Sequence, residues 1–445
     1  MFESTLMLRA KSALARAVGN RSFRGVALIG SGAAVGQIIQ VAATPVVSRL
    51  YGPHAYGALA VFSSLLSIAS ILVTFRFEVA IPLPKEDEDA RDLLLLALLL
   101  ALLFAGATCL GLAGWQFLRK AANPDPLAKH LVWTLPVGML AIGCYQTFGY
   151  WSTRTRQYRP ISVTRVSQAV ASVGTQLLLP RLPPEGLGLI LAWIVGQAFG
   201  LRPLFNAFRN TRPKAPWPSL AKLLSVGRNY WNLSAYGTAT AITTTIGDSL
   251  PSLLLARAFG LEAAGVYLMA SRVFTLPSQM VGAAVAQVFM GETSQRLRED
   301  PRSVPDYFHT VHRHLIWVGA GILVLGGFSP LFLPWILGAK WHAAGLVAAI
   351  LAPMAATDIT VRPMYNITVI GNRPKLQLLT GILPMGLATI GLGAPILLGY
   401  SQTAALMGYS LCRCMASYVI YLVYRRVAHN IAATSMKGTA IASEP

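Results

Sequence analysis

Leu93-Leu94-Leu95-Leu96-Ala97-Leu98-Leu99-Leu100-Ala101-Leu102-Leu103 carries no polar side chain, and Ile316–Phe332 carries only Ser329. A helix that is apolar on every side has no face to offer water. A helix in lipid needs about 20 such residues in a row. Blocks of this kind recur through the 445 residues, of which 54% are hydrophobic and 12% charged. A soluble domain carries roughly a quarter charged residues. The chain therefore reads as an all-α integral membrane protein.

Working outward from these runs gives about twelve transmembrane segments: 26–48, 57–81, 93–118, 131–151, 161–180, 187–206, 230–256, 263–290, 315–337, 343–370, 376–399 and 403–424. The fifth is the least apolar, since Ser162, Thr164, Arg165, Ser167 and Gln168 crowd its start. Cationic residues test the layout. With the N-terminus in the cytoplasm, the cytoplasmic stretches hold 26 Lys and Arg and the opposite stretches seven. Such a bias sets the orientation of a multi-pass protein and supports an even number of spans, with both termini cytoplasmic. It also accounts for the net charge of +20. No nucleic-acid-binding motif stands beside that charge, so no nucleic acid is expected as a partner.

Residues 1–25, with Arg9, Lys11, Arg16, Arg21 and Arg24, form a basic cytoplasmic segment and not a cleavable signal, because the apolar segment that follows is too long. The remaining organisation is a six-helix bundle over 26–208, a basic cytoplasmic linker over 209–229, a second six-helix bundle over 230–424 and a cytoplasmic tail over 425–445. Cys109, Cys144, Cys412 and Cys414 lie in or beside apolar segments and suggest neither a disulfide framework nor a metal site.

An internal repeat supports two related halves. Arg49-Leu50-Tyr51-Gly52-Pro53-His54-Ala55-Tyr56-Gly57 matches Arg257-Ala258-Phe259-Gly260-Leu261-Glu262-Ala263-Ala264-Gly265 at an offset of 208. Tyr158-Arg159-Pro160 and Asn372-Arg373-Pro374 match at an offset of 214. Both halves begin on the cytoplasmic side, so the repeat is parallel. A third glycine pair at a turn, Gly338 and Gly345, is spaced by six residues and not four. Glycine there allows a tight reversal between helices.

The stretch Arg49-Leu50-Tyr51-Gly52 with Tyr56-Gly57, followed by Arg76-Phe77-Glu78-Val79-Ala80-Ile81-Pro82-Leu83-Pro84 and an acidic loop, resembles bacterial polysaccharide flippases of the O-antigen type. These belong to the multidrug/oligosaccharidyl-lipid/polysaccharide exporter superfamily. The resemblance implies two six-helix bundles around a central cavity that opens alternately to either side of the inner membrane. It implies an undecaprenyl-diphosphate-linked saccharide as substrate, moved to the periplasmic leaflet for surface polysaccharide or lipopolysaccharide synthesis. A polysaccharide polymerase is the protein partner it suggests. The lipid II flippase branch typically carries fourteen helices, which twelve does not match.

Charges within spans are the sharpest local signals, since each costs about 2.5–3.5 kcal/mol at a helix centre unless it meets a partner or water. Arg76 in the second span and Arg272 in the eighth occupy equivalent helices of the two halves. Planar guanidinium groups suit a diphosphate, so both are expected to line the cavity and bind it. Their alternative roles are structural pairing or snorkelling. Arg49 and Arg257 stand at matched helix ends and could receive the diphosphate on the far side, or anchor the helices at the interface. Asp358 and Arg362, four apart, can pair on one helix face. Asp248 could bind a coupling H⁺ or Na⁺, or bond to Arg272, and Glu78 is a further acid within a span. Helix 7 is rich in Ser and Thr, which suits sugar binding or contacts between helices. Lys85-Glu86-Asp87-Glu88-Asp89 reads as a solvated loop, and His309, His312 and His314 as surface residues preceding the ninth span, with no zinc-like pattern.

Two other functions remain open on the residues alone. A cation-coupled multidrug exporter of the same fold would favour an acidic cavity. A membrane glycosyltransferase or polymerase would place its acids on a sizeable periplasmic loop, whereas the longest here, Leu118–His130, holds only Asp125. No P-loop for ATP and no catalytic or cofactor motif is present.

Overall fold

A computed structural model describes residues 21–118, 126–371 and 373–441. Most of the basic N-terminal segment, the centre of the Leu118–His130 loop and Asn372 of the second repeat pair lie outside the described residues. Those that are described form twelve helices of 20 residues or longer and no strand. In chain order they are α1 (Arg21–Leu50), α2 (Pro53–Val73), α3 (Asp87–Leu118), α4 (Pro126–Arg154), α5 (Tyr158–Leu178), α6 (Leu187–Thr211), α7 (Leu220–Phe259), α8 (Leu261–Glu299), α9 (Val304–Leu337), α10 (His342–Val361), α11 (Pro374–Leu397) and α12 (Gln402–Ile441). Helices satisfy their own backbone groups, and this makes them the usable element in hydrocarbon for a chain that does not close a barrel.

Ten of the twelve are long and apolar enough to cross a membrane. The two that fall short are α5 and α7. In α5, Arg159 and Arg165 sit among hydroxyl and amide side chains. In α7 a Ser- and Thr-rich stretch dilutes the apolar content. At 40 residues α7 is about 60 Å long, twice the hydrocarbon thickness.

Several boundaries differ from those read in the sequence. α7 begins at Leu220, so the non-helical link after α6 is only 212–219. α9 begins at Val304, which places His309, His312 and His314 inside the helix and not ahead of it. α12 continues to Ile441, so most of the expected tail is helical. In each case the helix outruns its apolar block, because backbone hydrogen bonding continues past the membrane boundary where water also tolerates a helix.

The chain divides into two compact units. One holds the described residues up to Leu50 together with Leu65–Ala239; the other holds Tyr51–Ser64 together with the described residues from Thr240 onward. In the first unit α1 packs on α5, α5 and α4 pack on α6, and α3 packs on α4. The α1–α5 contact is tight because Gly36 leaves no room for a side chain: an added Cβ would lie 2.7 Å from the Arg165 carbonyl oxygen. Small residues are the means by which helices approach in lipid, where no hydrophobic force drives them together. The second unit pairs α9 with α10, α11 with α12, and α10 with both α8 and α12.

The glycine repeat has two distinct jobs. Gly260 (φ 88°) and Gly338 (φ 105°) take the left-handed backbone that ends a helix. Gly57, Gly265 and Gly345 are instead points of close approach, where an added Cβ would collide with the backbone of Leu261, of Pro53 and of Pro330 respectively.

Candidate functional site

Arg272 on α8 is exposed. Its guanidinium carbon lies 5.8 Å from the centre of the Tyr56 ring. Tyr56 is buried and meets Trp341 edge-on, with ring centres 5.1 Å apart at 86°. All three belong to the second unit. Among the described residues no carboxylate lies within ion-pair distance of Arg272. A cation over an aromatic face gains about 0.5–2 kcal/mol. That offsets only part of the cost of a guanidinium in a span and leaves its hydrogen-bond donors for another group. Arg49 and Arg257 sit in the last turns of α1 and α7, both exposed, where a cation complements the negative end of the helix dipole.

Arg76 and Glu78 do not lie within a helical span. α2 ends at Val73; Phe75 and Arg76 have left-handed backbones, with φ of 49° and 55°, and Phe77–Ala80 form a 3₁₀ turn. The break follows from side-chain packing. Phe75 stacks on Trp231 with ring centres 5.3 Å apart at 11°, and Phe77 lies 6.4 Å from the same ring. Phe77 also joins the buried cluster of Ala80, Leu93, Phe148 and Trp151. Glu78 is buried and accepts a hydrogen bond from Thr74. Burial pushes the Glu78 carboxyl above its ordinary value, while the Thr74 hydroxyl and the Arg76 charge pull it back. Arg76 passes Gly237 of α7, where a Cβ would lie 3.6 Å from its Nε.

Asp358 and Arg362 do pair, at 3.2 Å, but as members of a larger group. The same carboxylate oxygen accepts from Arg413 of α12, and the other oxygen accepts from Ser417 at 2.6 Å. Asp358 thus has both oxygens occupied and joins α10 to α12. Arg362 opens the 3₁₀ turn after α10 and reaches Asp248 at 4.0 Å. The ion partner of Asp248 is therefore Arg362 and not Arg272. Asp248 is largely exposed, at 71% of its side chain, whereas Asp358 shows 16%.

Of the acidic run, Lys85 and Glu86 are exposed and non-helical as expected, but the rest is helix and not loop. Asp87, Glu88 and Asp89 form the first turn of α3, where carboxylates meet the positive end of the dipole. Arg154 binds Asp87 at 2.7 Å and donates to the carbonyl of Pro84 at 2.7 Å. Asp92 is fully buried, held by Arg91 at 2.8 Å and by Lys222 at 3.1 Å. Arg91 also donates to the carbonyl of Ala215 in the 212–219 link, at 2.9 Å. The Lys222 ammonium is held above its ordinary value by its hydrogen bond to Asp92. This cluster was hidden in the sequence, since Asp92 and Lys222 are far apart along the chain. His312 stacks on Tyr421, with ring centres 4.2 Å apart, and its Nδ1 lies 3.1 Å from the Thr360 carbonyl oxygen. It is a packed side chain; the described residues bring no three metal-ligating side chains together.

The helices and their spans define a multi-pass membrane protein with the fold of the MOP superfamily. The structure resembles the lipid II flippase MurJ in its inward closed conformation, with a TM-score of 0.68 at 11% identity, covering 93% of this chain and 90% of that one. It also resembles an inward-facing multidrug resistance MATE family transporter of the MOP superfamily, with a TM-score of 0.61 at 15% identity, covering 90% of this chain and 96% of that one. The chain belongs to the polysaccharide biosynthesis protein family, whose profile matches residues 46–345. It is 24% identical over 304 residues to the lipopolysaccharide biosynthesis protein WzxC of Escherichia coli (strain K12), covering 67% of this chain and 59% of that protein. It is 20% identical over 247 residues to the teichuronic acid biosynthesis protein TuaB of Bacillus subtilis (strain 168), covering 55% of this chain and 50% of that protein. The chain thus spans between half and three fifths of the length of these relatives.

Proposed function

We propose that this protein is a flippase that moves an undecaprenyl-diphosphate-linked saccharide from the cytoplasmic to the periplasmic leaflet of the inner membrane, for surface polysaccharide or lipopolysaccharide synthesis. The observation that carries this reading is the state of Arg272: exposed, seated on Tyr56, and without a carboxylate partner among the described residues. A guanidinium left in that condition within a span favours an anionic ligand, and its planar fork matches a phosphate. Family membership supports the saccharide part of the reading.

In this scheme Arg272 holds the diphosphate while the prenyl chain stays in lipid. Arg76, at the cytoplasmic end of α2, meets the head group first. Arg257 and Arg49 receive it at the far side before release. Translocation proceeds by alternating access and makes or breaks no covalent bond. Both termini are cytoplasmic. Asp248, an exposed acid within the seventh span, is the candidate for H⁺ or Na⁺ coupling; Asp358, with both oxygens occupied, is a structural member. A polysaccharide polymerase is the partner that would consume the product.

Deleting the gene and extracting lipids tests the scheme. A cytoplasmic accumulation of undecaprenyl-linked repeats, relieved by the wild-type chain and not by Arg272→Ala, is the expected result. Normal surface polysaccharide after deletion overturns it. Transport of an organic cation by vesicles, unaffected by Arg272→Ala, would instead identify a multidrug exporter.

A further inference from the structure

The corner where α2 ends carries more than a phosphate contact requires. Phe75 and Arg76 both adopt a left-handed backbone that costs about 1 kcal/mol or more per non-glycine residue and persists only where surroundings enforce it. The result is a fixed arrangement within the first unit. Trp231 is half-exposed and braced on one side by Phe75. Arg76, partly exposed, runs beside Gly237. Tyr150 is partly exposed and stands within electrostatic reach of both Arg76 and Glu78. Glu78 is buried and accepts from Thr74. Ser234 and Thr238, one helical turn apart with Gly237 between, have buried hydroxyls that make no hydrogen bond; Thr244 on the same helix bonds back to the Ala241 carbonyl.

These features favour a neutral polyhydroxylated ligand over a dianion. The Glu78 carboxylate, within electrostatic reach of Arg76, offsets the charge a diphosphate would seek and repels it. A sugar ring has an apolar C–H face that an indole can cover, and hydroxyls that accept from a guanidinium and exchange hydrogen bonds with a phenol. A mainly apolar surface with a few convergent polar groups is the general form of a small-molecule site. Arg272, with no such acid near it, differs on this point.

Building on the flippase reading above, we infer that Trp231, Arg76 and Tyr150 form a saccharide-recognition corner that reads the sugar part of the lipid-linked substrate, separate from the diphosphate contact at Arg272. Glu78 and Phe75 act as positioning residues, the first by offsetting charge and the second by bracing the indole.

The full-length chain in proteoliposomes provides the test. The two probes are undecaprenyl diphosphate bearing the host's complete repeat and undecaprenyl diphosphate bearing its first sugar alone. Transfer is scored as protection from a membrane-impermeant oxidant. Trp231→Ala is expected to lower the ratio of complete-repeat to single-sugar transfer by roughly three- to tenfold, the worth of one aromatic contact. Trp231→Phe, which keeps a flat ring, restores most of that ratio and controls for folding. Arg272→Ala lowers transfer of both carriers together. An unchanged ratio in Trp231→Ala, whether both rates fall or neither does, overturns the corner while leaving the flippase reading standing. If the wild-type chain moves neither carrier, the flippase reading fails and the corner falls with it.

Discussion

Gly57 and Gly265 meet across a reciprocal contact: an added Cβ at Gly57 would strike the backbone of Leu261, and one at Gly265 would strike Pro53 and the amide nitrogen of Gly57. Leu261 is Pro53 displaced by 208 residues, and Gly265 is Gly57 displaced by the same amount. The repeat therefore meets itself as the two copies of a symmetric dimer would, each glycine against its counterpart's helix start. That contact lies within the second unit and attaches the first turns of α2 to it.

Replacing either glycine by alanine forces two backbones apart. The expected cost is about 1–3 kcal/mol, the usual penalty for overpacking a filled contact. Thermal unfolding in detergent measures it. The double variant should cost less than the sum of the two single variants, since one separation accommodates both methyl groups. Strict additivity would show that the two sites do not share a contact.

Asp358→Ala leaves Arg413 and Arg362 without their common carboxylate, and loss of one member of a buried ionic group costs about 3–5 kcal/mol. Asp248→Ala removes an exposed partner at 4.0 Å and should cost under about 1 kcal/mol. The measured order of the two unfolding midpoints checks the assignment; equal losses would contradict it.

The 212–219 link is tied to α3 through Arg91 and the Ala215 carbonyl, with Lys222 on Asp92 beside it. Asp92→Asn should speed tryptic cleavage after Lys214 several-fold, because loss of the carboxylate frees both cations and so the segment they hold. The lysine also sets a pH window. Its raised folded value means that its contribution is intact below about pH 10.5 and fades as pH rises beyond that, so the ratio of wild-type to Asp92→Asn cleavage should stay flat at lower pH.

Glu78 works in the opposite sense. Burial raises its folded value above the ordinary one, so the folded state holds the proton more tightly than the unfolded chain does. Stability from this group is intact below its ordinary value of 4.5 and is lost as pH rises through the folded value. Glu78→Gln keeps the hydrogen bond from Thr74 and removes the buried charge. It should unfold at an equal or higher temperature at neutral pH, and the loss of stability with rising pH should flatten. A lower midpoint at neutral pH would show that the carboxylate is stabilising where it stands.

Arg272→Lys keeps the charge but replaces a planar fork with a point donor. If the group binds a phosphate through two parallel hydrogen bonds, Lys should retain only a minor part of the transfer rate. Full activity in the Lys variant would reduce the site to a simple positive charge.

Much of this protein was legible along the chain for a single reason: in hydrocarbon each helix must satisfy its own backbone, so each span is written as one contiguous apolar run. The runs at Leu93–Leu103 and Ile316–Phe332 announced α3 and α9. The i,i+4 pair of Asp358 and Arg362 was equally local. What the chain order could not disclose was long-range partnership. Arg413 on Asp358, Lys222 on Asp92, Trp231 against Phe75 and Gly57 against Gly265 join residues far apart in sequence, and each depends on which helix faces stand opposite. The break at Arg76 belongs to the same class. Its residues read as the tail of a helix, and the stacking of Phe75 on Trp231 together with the burial of Phe77 in the core turns the chain aside.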